Sequence, residues 1–148
     1  MGEHQQLLLI RHGEGSHQLE PELVAGRAEH AELTQRGIDQ ASALGELLAS
    51  HDCLPDVVFV SSQTRAQQTA RYMLSAMELE YVPVVHTTSL LQEMSQGIWE
   101  GRPRDQLYTP ETLSVIEAEQ MDFRVAGGES INQTADRMYA FLMDEVSR

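Results

Sequence analysis

Arg11 and His12 directly follow a short apolar run and are the first residues of the chain whose types could do chemistry. The run, residues 7–10, has the length and composition of a strand buried on both faces. Ligands of open α/β sheets bind at the carboxyl ends of strands. His12 is therefore a candidate nucleophile or base, Arg11 a candidate anion clamp, and Gly13 a point where a ligand approaches the backbone. A polar strand end with a surface histidine would explain the same residues.

A second candidate site follows the next predicted strand, residues 56–60, which is rich in β-branched and aromatic side chains. Ser62 then precedes a predicted helix over residues 63–77. The first turn of a helix offers free N–H groups and the positive end of its dipole, and Arg65 adds a planar donor fork. This combination suits a phosphate group. If Ser62 only caps the helix, Arg65 lies on a solvated face instead.

Two carboxylates stand in a third segment, residues 91–101, after the third predicted strand. A carboxylic acid beside a departing alkoxide can supply its proton, so Glu93 and Glu100 are candidates for a general acid. The plainer interpretation is that Trp99, the only tryptophan, packs and that both glutamates are solvated. Taken alone, this segment is a weak indication of function.

The elements that must position these residues alternate along the chain. The predicted strands are residues 7–10, 56–60 and 81–86, with Pro83 at a strand start or on an edge strand. The predicted helices are residues 35–50, capped by Thr34, then 63–77, 110–120 and a last helix that begins at 129–130. This alternation indicates an α/β sandwich with a mostly parallel sheet. The length of 148 residues predicts a single domain over residues 1–148.

Composition narrows the classes of partner and the compartment. The chain has 23 acidic residues, 10 basic residues and a formal net charge of −13. This excess of negative charge argues against nucleic acid and against an anionic membrane surface as partners. The single cysteine, Cys53, fits a reducing compartment, and neither a membrane-spanning stretch nor a signal peptide is evident. The sequence therefore predicts a cytoplasmic protein.

In their order along the chain, the motifs resemble those of the histidine phosphatase superfamily, the phosphoglycerate mutase-like proteins. The resemblance runs from about residue 7 to the end of the chain. The matching segments are Arg-His-Gly-Glu at 11–14, Leu-Thr-Gln-Arg-Gly at 33–37, Ser-Ser-x-x-Arg-Ala-x-Gln-Thr-Ala at 61–70, Glu93 before Trp-Glu-Gly at 99–101, and Gly-Gly-Glu-Ser at 127–130. It implies a three-layer, phosphoglycerate mutase-like sandwich that is shortened at its C-terminus.

The resemblance also implies roles for individual residues. His12 would be the nucleophile that takes the phosphoryl group, and Arg11 and Arg65 would bind its oxygens. Glu93 would protonate the leaving oxygen. Two guanidinium groups can stabilise the phosphoryl charge without a metal, so neither a metal nor another cofactor is expected. The implied activity is that of a metal-independent phosphatase that hydrolyses a phosphorylated small molecule through phosphohistidine.

Two departures from the family pattern qualify these roles. Gln18 stands where the family usually has a phosphate-binding asparagine, and its amide reaches one methylene further. The family's second essential histidine follows a central strand near the C-terminus, and no histidine follows His86 here. The explanations are a fragment, a natural truncation that pairs with a second copy, or a substitute histidine, for which the candidates are His17, His30 and His86. Truncation is favoured over substitution.

Three further expectations concern the surroundings of the site. Without the central strand, the first strand exposes an apolar edge, which predicts a homodimer or a larger assembly. Residues 110–120 are expected to form a cap or lid over the site, and residues 129–130 to open a helix near its rim. No zinc-site spacing links the N-terminal histidines, which are His4, His12, His17 and His30.

Other functions remain open beside the phosphatase. A phosphoglycerate mutase-type phosphotransferase is disfavoured, because the chain is short and lacks the extra elements with which mutases exclude water. A catalytically impaired protein of the same fold would use Arg11 and Arg65 to bind a phosphorylated ligand or partner, and the missing second histidine favours it. The third alternative is a chance set of motifs on a flavodoxin-like fold.

Overall fold

The computed structural model describes residues 6–146 and has an α/β architecture. Its strands are β1, Val57–Ser61, and β2, Val84–Thr88. Its helices are α1, Gln35–Ser50; α2, Thr64–Ala76; α3, Arg104–Leu107; α4, Pro110–Glu119; and α5, Ile131–Phe141, which continues as a π-helical segment, Leu142–Val146. Short 3₁₀ turns cover Ser16–Leu19, Ser89–Leu91, Gly97–Trp99 and Gln120–Asp122. His4 and residues 147–148 lie outside the described part of the chain.

Strands β1 and β2 form a parallel two-stranded sheet in which Val57 pairs with Val84 and Ser61 pairs with Thr88. The strands end level with each other, and the Ser62 N–H donates to the Thr88 carbonyl at 3.0 Å just beyond the last pair. Helix α2 begins two residues later, so its first turn stands at the carboxyl end of the sheet. The prediction of an α/β fold with a parallel sheet is confirmed.

Residues 7–10 do not form the buried strand that their apolar sequence predicts. No described residue pairs with them, and their side chains are between 41% and 83% exposed. A strand is completed by hydrogen bonds to a neighbouring strand, and this segment has no such neighbour within residues 6–146. The predicted strand is therefore wrong, and with it the expected apolar strand edge, although the four apolar side chains of the segment are exposed.

The predicted third strand begins later than expected, at Val84 rather than at Tyr81. Pro83 has no N–H to donate to a ladder, so it precedes the strand and is buried beside it. This agrees with the prediction that Pro83 marks a strand start.

Helices α2 and α5 pack against β1, and α1 and α2 pack on each other at close range, whereas four of the five residues of β2 are exposed. Gly45 of α1 lies so near the backbone carbonyl of Met73 on α2 that a side chain at Gly45 would have no room. Thr34 caps α1, as predicted, by accepting the Gly37 N–H at 3.1 Å. Phe141 at the end of α5 sets its ring edge-on to Phe59 of β1, with 5.2 Å between the ring centroids.

Candidate active site

His12 holds one ring nitrogen near a backbone carbonyl and presents the other to a guanidinium. Its Nδ1 lies 2.7 Å from the Gly13 carbonyl oxygen, and Arg65 Nε donates to its Nε2 at 3.0 Å. Because a carbonyl only accepts and a guanidinium only donates, the proton lies on Nδ1 and the lone pair on Nε2. The tautomer of His12 thus leaves the lone pair on Nε2, the ring nitrogen that faces Arg65.

Arg65 is only 1% exposed, so the alternative that places it on a solvated helix face is wrong. Its NH1 group donates to the carbonyls of Arg27 at 2.8 Å and of Ala28 at 3.0 Å. These bonds hold the guanidinium plane in place. Ser62 does not cap α2, because the residue at the N-cap position is Gln63.

A cavity of about 190 Å³ brings His12 and Arg65 together with two other predicted site residues, Arg11 and Glu93. The remaining wall residues are His17, Val24, Ala25, Gly26, Met94, Gln96, Arg104 and Tyr108. A second hollow of about 390 Å³ is lined by residues 124–128 and contains none of the predicted site residues. The sequence motifs therefore converge on one cavity.

The surroundings of His12 favour its neutral form. Burial is the largest influence and lowers the pKa of the imidazole below its ordinary 6.5. The charges of Arg65 and Arg11 lower this pKa further, whereas the hydrogen bond to Gly13 and the charge of Glu93 oppose them. At neutral pH the ring is uncharged and its Nε2 lone pair accepts the Arg65 Nε–H, so Nε2 can act as a nucleophile once that hydrogen bond is released.

Helix α2 holds the backbone beside His12 through Thr69. The Gly13 N–H donates to Thr69 Oγ1 at 3.1 Å, and Thr69 Oγ1 donates in turn to the carbonyl of Arg65 at 2.7 Å. One hydroxyl thus links the loop of the candidate nucleophile to the helical turn that carries Arg65.

Helix α1 holds the same loop from its other side. The Glu14 N–H donates to Gln40 Oε1 at 2.8 Å. The space that a side chain of Gly13 would occupy is filled by the backbone of Gly37, and the space beside Gly37 is filled by the backbone of Glu14. Gly13 therefore serves the close packing of the loop on α1, which corrects the prediction that it leaves room for a ligand.

Glu93 is exposed and lines the cavity. Its Oε1 accepts the Met94 N–H at 2.9 Å, and its own N–H donates to Gln63 Oε1 at 3.2 Å. Gln63 also donates through Nε2 to the Arg27 carbonyl, at 2.6 Å. The Arg27 carbonyl also accepts a hydrogen bond from Arg65. Gln63 and this carbonyl therefore connect the backbone of Glu93 to the guanidinium of Arg65.

Glu129 and two arginines hold the segment that leads to Glu93. Arg137 donates to both carboxylate oxygens of Glu129 at 3.0 Å and to the Gln92 carbonyl at 3.1 Å. Arg27 forms an ion pair with Glu129 at 3.3 Å. Burial alone would raise the pKa of Glu129, but the hydrogen bonds from Arg137 and the charges of both arginines outweigh it and lower this pKa. Glu129 is accordingly a fixed anion.

The other two predicted phosphate ligands, Arg11 and Gln18, are placed differently. Arg11 lines the cavity, is exposed, and has no hydrogen bond or ion pair with any residue in the range 6–146. Gln18 is not among the residues that line the cavity, and its Oε1 accepts the Gly15 N–H at 2.9 Å. Its role as a phosphate ligand stays a prediction.

Trp99 and Glu100 support the cavity without lining it. Trp99 packs edge-on against Tyr108, with 5.3 Å between ring centroids, as the plainer interpretation expected. Glu100 is not merely solvated, because its Oε1 accepts the N–H groups of Arg27 at 3.2 Å and Gln96 at 2.9 Å. It thereby ties two loops of the cavity wall together.

Arg104 and Tyr108 also line the cavity, and no sequence motif marks them. They stand four residues apart at helix α3, which is only four residues long and leaves no periodicity to find. Arg104 Nε donates to the Leu23 carbonyl at 3.0 Å. Helix α4, predicted as a lid, contributes no lining residue.

Of the three histidines proposed as substitutes, only His17 lines the cavity. His30 is exposed, and His86 is exposed and stacked on Phe59 of β1. Within residues 6–146, no three His, Cys, Asp or Glu side chains are placed to hold a metal ion. No helix in that range is both long and apolar enough to cross a membrane.

Comparison with known protein sequences identifies the class of protein that has this fold and this site. The sequence profile of the histidine phosphatase superfamily (branch 1) matches residues 7–148. The chain belongs to this superfamily.

Its curated relatives include 2,3-bisphosphoglycerate-dependent phosphoglycerate mutases. The mutase of Clavibacter sepedonicus is 32% identical over 156 residues, which cover 100% of this chain and 60% of the mutase. The mutase of Nocardia farcinica is 37% identical over 101 residues, or 68% of this chain and 40% of the mutase. The chain thus spans only part of the length of these relatives.

Solved structures with the same fold include phosphatases. The α-ribazole phosphatase of Shigella flexneri superimposes with a TM-score of 0.75 and 33% identity, over 93% of this chain and 65% of that one. A mycobacterial glucosyl-3-phosphoglycerate phosphatase gives a TM-score of 0.75 at 24% identity, over 92% and 61% of the two chains. The second likeness shows the fold alone.

Proposed function

We propose that the protein is a metal-independent phosphomonoester phosphatase that works through a phosphohistidine at His12. The observation that carries the proposal is the 3.0 Å hydrogen bond from Arg65 Nε to His12 Nε2 inside one cavity. It places a nucleophilic lone pair and a buried positive charge at the same point, as phosphoryl transfer requires. Membership of the superfamily supports the proposal.

In the first step, His12 Nε2 attacks the phosphorus of the ester, and the bond from phosphorus to the ester oxygen breaks. Arg11 and Arg65 stabilise the charge on the transferring oxygens, and Glu93 acts as the general acid that gives a proton to the leaving oxygen. In the second step, water attacks phosphorus and gives a proton to Glu93 as the nitrogen–phosphorus bond breaks. Inorganic phosphate leaves, and His12 Nε2 regains its lone pair.

The hydrolysis of p-nitrophenyl phosphate and of an alkyl phosphate tests the role of His12. His12→Ala is expected to lower kcat/KM by about 10³-fold or more, since it removes the nucleophile. His51→Ala, at an exposed histidine after α1, is the control and is expected to leave kcat/KM unchanged. Equal rates for His12→Ala and the unmodified chain would refute the proposal.

The choice of leaving group tests the role of Glu93. An alkoxide needs a proton to depart, whereas p-nitrophenolate does not. Glu93→Gln is therefore expected to slow the hydrolysis of the alkyl phosphate much more than that of p-nitrophenyl phosphate. Equal slowing of both substrates would contradict general-acid catalysis by Glu93.

A mutase is the second candidate, and the identity to phosphoglycerate mutases favours it. A mutase returns the phosphoryl group from the histidine to an acceptor instead of to water. Incubation of the chain with 3-phosphoglycerate and 2,3-bisphosphoglycerate separates the two activities, because a mutase forms 2-phosphoglycerate and a phosphatase releases inorganic phosphate. Phosphate binding without either product would indicate the third candidate, a catalytically impaired binding protein. A cytoplasmic location stays a prediction.

A further inference from the structure

His17 brings a second imidazole into the cavity of the candidate nucleophile. It lies in the 3₁₀ turn Ser16–Leu19 and lines the same cavity as His12 and Arg65. The centroids of its ring and of the His12 ring are 5.7 Å apart, with the rings at 61° to each other. The mechanism described above gives this second imidazole no part.

Gly15 provides the space in which the His17 ring lies. A Cβ atom at position 15 would stand 2.7 Å from both Nδ1 and Cε1 of the His17 ring, closer than real Cβ contacts. The backbone of Gly15 is extended, with φ −102° and ψ 155°, and any residue can adopt these angles. Backbone conformation therefore does not require glycine at position 15. Instead, the missing side chain leaves room for the His17 ring.

The two nitrogens of the His17 ring have different surroundings. Nδ1 is buried and has no hydrogen-bond partner in the described chain, whereas Nε2 is not among the buried unpartnered atoms. An N–H buried without an acceptor is costly, so the proton of the neutral ring belongs on Nε2. Burial, followed by the charge of Arg65, lowers the pKa of His17, so its ring is neutral at pH 7.

We infer that His17 is a phosphate-binding residue, whose Nε2–H donates to an oxygen of the phosphoryl group that His12 and Arg65 hold. The inference rests on the proposed function and adds a ligand to it. A bound phosphate dianion also attracts positive charge, so it favours proton uptake by the His17 ring. The site then has two guanidinium groups and one imidazole around the phosphoryl oxygens.

NMR of the unmodified chain with inorganic phosphate as the probe tests the contact directly. Nitrogen-15 shifts of the histidine rings report which ring nitrogen carries the proton. Before phosphate is added, we expect the Nε2–H tautomer for His17. During the titration we expect its Nε2 signal and its pKa to move, with the pKa rising. Saturation of the His12 signals with phosphate while the His17 signals stay fixed would overturn the inference.

Two variants test the same contact from different sides. His17→Ala removes the donor, and Gly15→Ala keeps His17 but puts a methyl group where its ring lies. Each is expected to weaken phosphate binding about 10- to 100-fold, the effect of one hydrogen bond to a charged group. His30→Ala, at an exposed histidine that does not line the cavity, is the control. Thermal unfolding establishes that each variant is folded.

The outcomes separate this inference from the proposed function. If the unmodified chain hydrolyses phosphomonoesters through His12 and His17→Ala binds phosphate as tightly as the unmodified chain does, the inference alone fails. If the chain binds phosphate with a His17 response but does not hydrolyse esters, the inference holds and the phosphatase activity fails. If no phosphate binds at millimolar concentration, both fail. Should His17→Ala not fold, the NMR titration of the unmodified chain decides.

Discussion

The tautomer of His12 depends on two contacts at opposite ring nitrogens, and Arg65 makes one of them. The guanidinium is buried, whereas Arg11 is exposed in the same cavity. A buried cation of fixed orientation stabilises developing charge more strongly than an exposed one, because less water screens it. Of the two arginines, Arg65 should therefore contribute more to phosphoryl transfer.

Arg65→Lys is expected to lower phosphatase kcat/KM by about 10²- to 10³-fold, the usual loss for one oxyanion-stabilising donor. Lysine keeps the charge but concentrates it on one nitrogen, which cannot reproduce the separate Nε and NH1 donors that Arg65 directs to His12 and to two backbone carbonyls. Kinetics of p-nitrophenyl phosphate hydrolysis give the measurement. Arg71→Lys, at an exposed position of the same helix, is the matched control. A loss below about threefold would show that the fork of Arg65 is dispensable.

The lowered pKa values of His12 and His17 predict a pH dependence of stability. Around and below pH 6.5 the unfolded chain binds more protons at these positions than the folded chain, so the free energy of unfolding falls as the pH falls. From about one pH unit above 6.5, their contribution is complete and constant. Urea denaturation between pH 5 and 7.5 measures this slope. In a His12→Asn variant the slope should be smaller, and an unchanged slope would contradict the assignment.

At the scale of elements, the two glycines at the start of α1 and before Glu14 set the distance between the His12 loop and that helix. Helix propensity alone predicts that alanine at position 37 stabilises α1, by about 1 kcal/mol. The backbone of Glu14 already occupies the space of the added methyl group. Overpacking then outweighs propensity, because the neighbour is main chain and cannot rotate away.

Gly37→Ala is accordingly expected to lower the free energy of unfolding by about 1 to 3 kcal/mol and to reduce phosphatase activity, since the His12 loop must shift. Chemical denaturation and kinetics measure the two effects. Glu46→Ala, at an exposed position of α1, should change stability by less than about 0.5 kcal/mol. A Gly37→Ala variant with a higher free energy of unfolding would show that the His12 loop can move away from α1 without loss of stability.

Arg137 of α5 connects the last helix to the segment before Glu93. Arg137→Lys loses the paired contact to Glu129 and should cost about 2 to 3 kcal/mol, since the arginine is only 15% exposed and the glutamate 20%. If Arg137 positions Glu93, kcat on an alkyl phosphate should fall several-fold while KM and hydrolysis of p-nitrophenyl phosphate change little. Arg124→Lys is the exposed control. Equal losses on both substrates would indicate a structural role alone.

Elements that carry their own signal could be predicted from the sequence. Helix α1 runs from Gln35 to Ser50, as its cap at Thr34 and its apolar spacing predict. The strand predicted at residues 7–10 is absent because a strand must pair with a neighbouring strand, and the composition of a segment does not reveal whether that neighbour is present. Glu129 was placed correctly at a helix start, with Ser130 as the cap. Its link to Arg137 is a tertiary contact that no local pattern encodes.

The candidate site divides in the same way. His12, Arg11, Arg65 and Glu93 stand in motifs and were predicted to converge, and all four line one cavity. His17 was named as a possible substitute for the missing histidine, but not as a phosphate ligand. Its presence in the cavity depends on the absent Cβ of a neighbour, a steric relation that residue types alone do not express.

At the scale of the whole molecule, the positive charge of the cavity arginines is opposite in sign to the net charge of the chain. The net charge is −13, so a phosphorylated substrate is repelled at long range. Beyond about 10 Å this repulsion is screened at 0.1 M salt. Under the proposed function, we expect recognition to depend on the local cations Arg11, Arg65 and Arg104, which line one cavity.

The exposed residues 7–10 predict that the 148-residue chain forms a dimer or a larger assembly. Leu9 is 83% exposed and stands in a run of four apolar side chains. Burying this run against a second copy of the chain would remove apolar surface from water, which favours association. Sedimentation velocity at micromolar concentration measures the assembly. Leu9→Glu should shift the population towards monomer, whereas Leu113→Glu, at an exposed position of α4, should not. A stable monomer of the unmodified chain would contradict the expectation.

Because Trp99 is the only tryptophan and its ring lies 5.3 Å from that of Tyr108 in the cavity wall, the chain contains its own optical probe of ligand binding. Indole emission responds to nearby charge and to the motion of a neighbouring ring. A ligand that displaces Tyr108 should therefore change the fluorescence without any label, and affinities can be titrated in solution at low protein concentration.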